Sequence, residues 1–142
     1  MNDGKKNKKS NQCECGQWGA YATVGLGDIE LRDEFEIIKE RNPWLMLTKC
    51  KHCNQGWYVA IDTSDYDEFQ FVRVAENQIQ DILQKDQWPD VLRVADENLS
   101  WLGDEIGSDL CKSPGCQRKR VKYSVLCRLH HYENLLGHLW KP

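Results

Sequence analysis

The sequence predicts an α+β protein, with a small antiparallel sheet in the first half of the chain and helices after it. Three observations carry that reading. Short runs of aromatic and β-branched residues fall between residues 44 and 74, separated by Gly and polar turns. Apolar residues at helical spacing follow within 75–87, 90–102 and 128–139. Seven cysteines stand in two groups, at 13, 15, 50 and 53 and at 111, 116 and 127.

In chain order, residues 1–12 carry four lysines against Asp3 and read as a disordered basic tail. Cys13 to Gly16 is a tight turn. Trp44-Leu-Met-Leu-Thr48 reads as a strand running into Cys50, and Gly56-Trp-Tyr-Val-Ala-Ile61 as the strand that returns. Glu68 to Val74 alternates polar and apolar residues, which puts Phe69 and Phe71 on one face of a third strand. Ala75 to Gln87 is a helix with Ile79, Ile82 and Leu83 on its apolar stripe, and Trp88-Pro89 stops it. Asp90 caps a second helix reaching Leu102, and Arg128 to Leu139 forms the last one. We therefore expect one domain over residues 13–142. Its parts are a sheet to residue 74, an acidic helical part over 75–109 and a cysteine-rich end over 110–142.

Composition excludes some classes. Among 142 residues no apolar run approaches the roughly 20 of a membrane span. No apolar segment follows the lysine-rich start, so the expected compartment is the cytoplasm. Thiols stay reduced there, and an odd number of cysteines also argues against a disulfide framework.

The cysteine spacing then points to metal. Cys13-x-Cys15 and Cys50-x2-Cys53 present paired thiolates from two tight turns, the layout of a zinc ribbon. Cys111, Cys116 and Cys127 lack a fourth donor, which His130 or His131 can supply from the start of the last helix. The Cys-x2-His step favours His130. Two structural Zn2+ ions are the expected cofactors. Both sets are closed, with no position left for a water, so the ions are expected to hold the fold together rather than do chemistry. No Ser nucleophile motif, phosphate-cradling Gly loop or His-Glu-x-x-His element is present. His131, Asn134 and His138 lie too close together on one helix for a His-Asn-His nuclease. We expect no enzymatic activity and no small-molecule substrate.

The net charge of −3 hides a strong asymmetry. Residues 62–109 hold 13 acidic residues against three basic ones, and residues 110–142 hold seven basic residues against Glu133. The acidic stretch suits a basic partner, with Asp62, Asp65, Asp67 and Glu68 as steering charges and Tyr66, Trp88 and Trp101 as aromatic anchors. The basic end, with Tyr123 among Lys112, Arg118, Lys119, Arg120, Lys122 and Arg128, offers the alternative of a nucleic-acid-binding zinc module or transcriptional regulator. The acidic middle opposes that alternative.

Cys13-Glu-Cys-Gly-Gln-Trp18, Cys50-Lys-His-Cys-Asn-Gln-Gly-Trp-Tyr58, Phe69-Gln-Phe-Val-Arg73 and Trp88-Pro89 resemble small zinc-binding immunity proteins of bacterial toxin systems. Cys111-Lys-Ser-Pro-Gly-Cys116 and Ser124-Val-Leu-Cys-Arg-Leu-His-His-Tyr132 resemble the C-terminal cluster of such proteins. The likeness spans roughly residues 13–138. It implies a cytoplasmic inhibitor that binds a cognate toxin domain of the contact-dependent or polymorphic type and blocks its active site or substrate groove. Toxins of that kind are often basic nucleases, which agrees with an acidic inhibitor.

Overall fold

The computed structural model describes residues 13–63, 67–98 and 103–141. The tail predicted over residues 1–12 lies outside them, as does the predicted continuation of the second helix to Leu102. The fold is α+β. The chain divides between Pro89 and Asp90 into two compact units.

The first unit contains α1 (Cys15–Trp18), β1 (Tyr21–Gly25), α2 (Leu31–Glu34), β2 (Phe35–Asn42), β3 (Leu45–Cys50), β4 (Gly56–Asp62), β5 (Glu68–Val74) and α3 (Glu76–Lys85). Its strands form one five-stranded sheet in the order β1-β5-β4-β3-β2, antiparallel at every pairing. The three predicted strands are therefore its centre, and β1 and β2 are edges that the sequence reading missed.

Period-two alternation assigns the two faces of the sheet. Met46, Trp57, Val59, Phe69 and Phe71 share one face, where they join Cys15, Cys50, Leu31 and Phe35 in a single buried cluster. Aromatic geometry organises that cluster: the Trp18 ring lies 4.8 Å from Phe71 and 5.4 Å from Trp57, and the Phe35 ring lies 5.3 Å from Phe71. Such pairs add about 0.5–1.5 kcal/mol beyond their area. Leu45, Leu47, Tyr58, Val72 and Val74 fill the opposite face and are buried, as are Ile79 and Ile82 of α3. At Gly56 the close approach of α3 leaves no room for a side chain. A Cβ there would stand 2.6 Å from Ile79 Cδ1 and 2.9 Å from Val74 Cγ2. Gly56 therefore serves helix–sheet packing.

Helix α3 starts at Ala75, whose N–H is accepted by Gln78 Oε1 at 2.8 Å, and ends at Asp86 in the left-handed region. Lys39 ties its last turn to β2 through Ile82 O at 3.1 Å and Asp86 Oδ1 at 3.2 Å.

The second unit contains α4 (Val91–Asn98), β6 (Glu105–Leu110), β7 (Lys119–Val121) and α5 (Arg128–Leu136), closed by a 3-10 turn over Gly137–Trp140. Asp90 caps α4 as predicted, accepting the Arg93 N–H at 3.2 Å. Strands β6 and β7 form an antiparallel two-stranded ribbon. The last helix is shorter than predicted, because Gly137 tightens the chain into the 3-10 turn. Val91, Ala95, Val121, Tyr132, Leu136 and Trp140 supply the buried apolar side chains.

Candidate metal centres

Each unit gathers one set of donors. In the first unit Cys13 precedes α1, Cys15 opens it, Cys50 ends β3 and Cys53 lies in the β3–β4 turn. In the second, Cys111 follows β6, Cys116 lies in the Ser113-Pro114-Gly115 turn region, and Cys127 and His130 start α5. Within each set all donor atoms lie within 4.8 Å of one another.

The distances test the fit. Thiolates bonded at about 2.3 Å to a tetrahedral ion stand about 3.8 Å apart, and a thiolate and an imidazole about 3.5 Å apart. Cys116 Sγ lies 3.9 Å from Cys127 Sγ, and His130 Nδ1 lies 3.4 Å from Cys111 Sγ and 3.3 Å from Cys127 Sγ. These four residues can hold one ion with little movement. The four cysteines of the first set can hold another.

Amide groups aimed at the sulfurs support the same chemistry. The N–H two residues after a donor cysteine points back to its sulfur at 3.4 Å in three cases: His52 to Cys50, Ser113 to Cys111 and Arg118 to Cys116. The Trp57 indole N–H reaches Cys15 Sγ at 3.3 Å. Donors of this kind favour thiolates over thiols and fix where each ligand points.

The free groups titrate far apart. Burial pushes the Cys13 thiol up, and pushes Cys15 up well beyond the ordinary range despite the indole bond. Burial also opposes ionisation of Cys53, yet the Gln55 N–H and the neighbouring thiols draw it below the usual value. Cys111 is drawn down to about 6, burial being outweighed by the N–H groups of Cys127 and Ser113 and by the His130 ring. Burial, with the Cys111 and Cys116 sulfurs, pushes Cys127 up to about 11 against the His130 N–H. Sulfurs this close cannot all ionise unless a cation offsets their repulsion, and a bound dication displaces the shared protons.

Of the two candidate histidines, the structure brings His130 to the sulfurs. His131 is turned away, with its Nδ1 2.9 Å from Ser124 Oγ. A residue one step along a helix points about 100° away, so both rings cannot face one ion.

The predicted partner-binding residues fare unevenly. Asp62 is 2 % exposed at the end of β4, so it is no surface contact. Asp65, Tyr66 and Trp101 lie outside the described residues. Asp67 is exposed, and its carbonyl accepts the Leu26 N–H at 3.0 Å. Glu68 is half-buried and accepts the Gln70 amide at 2.8 Å. Trp88 is largely used inside the unit. Its ring packs 4.9 Å from Tyr58, Arg41 and Lys39 lie over it at 5.3 and 5.8 Å, and its N–H goes to Asp86 Oδ1 at 2.9 Å. Trp44, not singled out from the sequence, is 53 % exposed in the β2–β3 turn. Its one sequence signal is Asn42-Pro43, a turn dipeptide that places the next ring at a tip.

The basic end is also largely spoken for. Arg118 makes two bonds to Asp96, at 2.9 and 3.1 Å, and reaches Glu105 Oε2 at 2.7 Å. Arg120 pairs with Asp109 at 3.0 Å, and Arg128 donates to Asp96 O at 2.9 Å. These contacts occupy three of the arginines offered for nucleic acid and pair Arg118 and Arg120 with Asp96, Glu105 and Asp109 of the acidic stretch.

No helix among the described residues is long and apolar enough to cross a membrane. No family model, curated protein or solved structure matches the chain.

Proposed function

We propose that the chain is a cytoplasmic immunity protein, stabilised by two structural zinc ions, that binds and neutralises a basic toxin domain. Four protein donors at each centre suit zinc and leave no position for a reacting water. The zinc-ribbon character read from Cys13, Cys15, Cys50 and Cys53 belongs to this proposal. Function then rests with the exterior.

The observation that carries the partner reading is one end of the sheet. Trp44 stands 53 % exposed there, and its carbonyl accepts the Ile61 N–H at 2.9 Å. At the same end half-buried Glu68 opens β5 opposite the last residue of β4, and it follows exposed Asp67. An open indole at the same end as carboxylates suits the Arg and Lys side chains of a basic surface, through cation–π contact and charge steering.

The test is growth rescue and co-purification with a basic toxin domain encoded beside this chain. Trp44→Ala should weaken the complex by about 2 kcal/mol, the scale of an interface anchor, without moving the melting temperature. Unchanged affinity would remove this end of the sheet from the interface, and failure to protect cells would overturn the immunity reading. A second reading, nucleic-acid binding, is favoured by Tyr123, which is 65 % exposed with Lys122 Nζ 5.3 Å from its ring centroid. Binding to single-stranded oligonucleotides that falls steeply with salt would support it instead.

A further inference from the structure

We propose that the first metal centre is an oxidative-modification site, at which a peroxide joins Cys53 to Cys13 and releases the ion. This rests on the reading that both centres hold zinc, and adds a regulated step that the binding role does not require.

The two centres differ in which sulfurs solvent can reach. Cys53 is exposed within a turn whose neighbours Lys51, His52 and Asn54 are exposed as well, and Cys13 is half-buried. Their partners Cys15 and Cys50 are only 2 % and 1 % exposed. The first centre is thus split into an outer pair and an inner pair. In the second centre Cys111 is 6 % and Cys127 0 % exposed, Cys116 alone is half-buried, and the fourth donor is an imidazole. No two sulfurs there share an open side.

Oxidation of cysteine follows thiolate character and access. Metal ligation supplies the first at both centres, and only the first centre supplies the second for two sulfurs at once. The Cys53 thiolate attacks one oxygen of hydrogen peroxide, breaking the O–O bond to give a sulfenic acid and hydroxide. The Cys13 thiolate then attacks the Cys53 sulfur and expels the second hydroxide. Two thiolates lose two electrons, the peroxide gains them, and one disulfide forms. The sulfurs start within 4.8 Å of each other, and the open turn has to close only the remaining gap. With two of its four ligands gone, the ion is released. Cys15 stays in the core against the Trp57 indole, so that ring reports the event. A dithiol reductant and zinc should reverse it.

The experiment treats the full-length, zinc-loaded protein with hydrogen peroxide. It follows released zinc with a chromogenic chelator, Trp fluorescence, and disulfides by peptide mapping. The expected result is loss of one of two zinc equivalents well before the other, a Cys13–Cys53 disulfide, and recovery with dithiothreitol plus zinc. Cys53→His keeps a fourth donor but removes the outer thiolate, and should hold both equivalents through the same treatment. Simultaneous release of both equivalents, or a first disulfide between other cysteines, would overturn the proposal whether or not that variant folds. Protein that contains no zinc before peroxide is added sinks the zinc reading and this step together. Two bound equivalents that both resist peroxide sink this step alone.

Discussion

In the first unit the metal donors border a sheet that is covered on both faces, whereas in the second they join a two-stranded ribbon to the start of one short helix. Cys15 and Cys50 are part of a buried cluster with Trp57, Phe71 and Phe35, and Ile79 and Ile82 bring α3 to the opposite face. The second unit buries Val91, Ala95, Val121, Tyr132, Leu136 and Trp140, and adds Arg118 bridging Asp96 and Glu105. The lesson is that the same number of ligands does unequal work. In the first unit an ion would pin a margin to an existing core; in the second it would supplement the small core that so short a segment builds.

The sharpest break of that comparison is loss of one ligand from each centre. Apparent binding energies of structural zinc run about 10–16 kcal/mol in small peptides, at or above the total stability of a typical domain at about 5–15 kcal/mol. Cys127→Ser should therefore unfold residues 90–141 outright while the sheet of the first unit keeps its amide protection. Cys50→Ser should cost the first ion and loosen the Cys13–Trp18 segment, yet leave the five strands paired. Hydrogen exchange resolved by residue reads both outcomes. Collapse of the sheet in Cys50→Ser would show that its core is less self-sufficient than its packing implies.

This division was only partly legible in the sequence. The ligand sets were readable because metal chemistry restricts both residue type and spacing, and the central strands were readable because burial on both faces crowds them with aromatic and β-branched residues. The edges were not. Phe35-Glu-Ile-Ile-Lys-Glu-Arg-Asn42 carries four charges because an edge strand needs only partial burial and must repel further pairing. Partner residues were the least readable. Whether an aromatic or acidic side chain is free depends on what the fold sets beside it: Tyr58 and Arg41 occupy Trp88, and burial at the end of β4 encloses Asp62.

Smaller effects sharpen the contrast between packing and charge. Gly56→Ala drives a methyl group against Ile79 and Val74, and overpacking of this kind costs about 1–3 kcal/mol. Its effect should be insensitive to salt. Arg118→Ala leaves Asp96 and Glu105 without their guanidinium. Because the Arg118 side chain is 35 % exposed, solvent screening trims the expected loss to about 1–2 kcal/mol, less at high salt. Denaturant titrations at two ionic strengths separate the cases. A salt-independent Arg118→Ala would mean that the side chain's stem, not its charge, holds the second unit.

The smallest expected effect concerns His131, which lies beside the second donor set without joining it. The Ser124 hydroxyl accepts the Leu126 N–H at 3.1 Å and stands within hydrogen-bond distance of the imidazole, 2.9 Å from His131 Nδ1. Burial lowers the His131 pKa from its ordinary 6.5, which favours the neutral ring. Because the unfolded chain takes up that proton more readily, the contribution is present above about pH 6.5 and is lost as the pH falls through the lower folded value. His131→Ala should cost about 1 kcal/mol at neutral pH, the net worth of one hydrogen bond, and the deficit should shrink on acidification. Two metal equivalents should remain. His130→Ala should lose one of them, because Nδ1 of that ring lies 3.3 Å from Cys127 Sγ and 3.4 Å from Cys111 Sγ. Metal content measured on both variants decides between them: loss of the ion in His131→Ala with retention in His130→Ala would transfer the ligand role to the neighbouring ring.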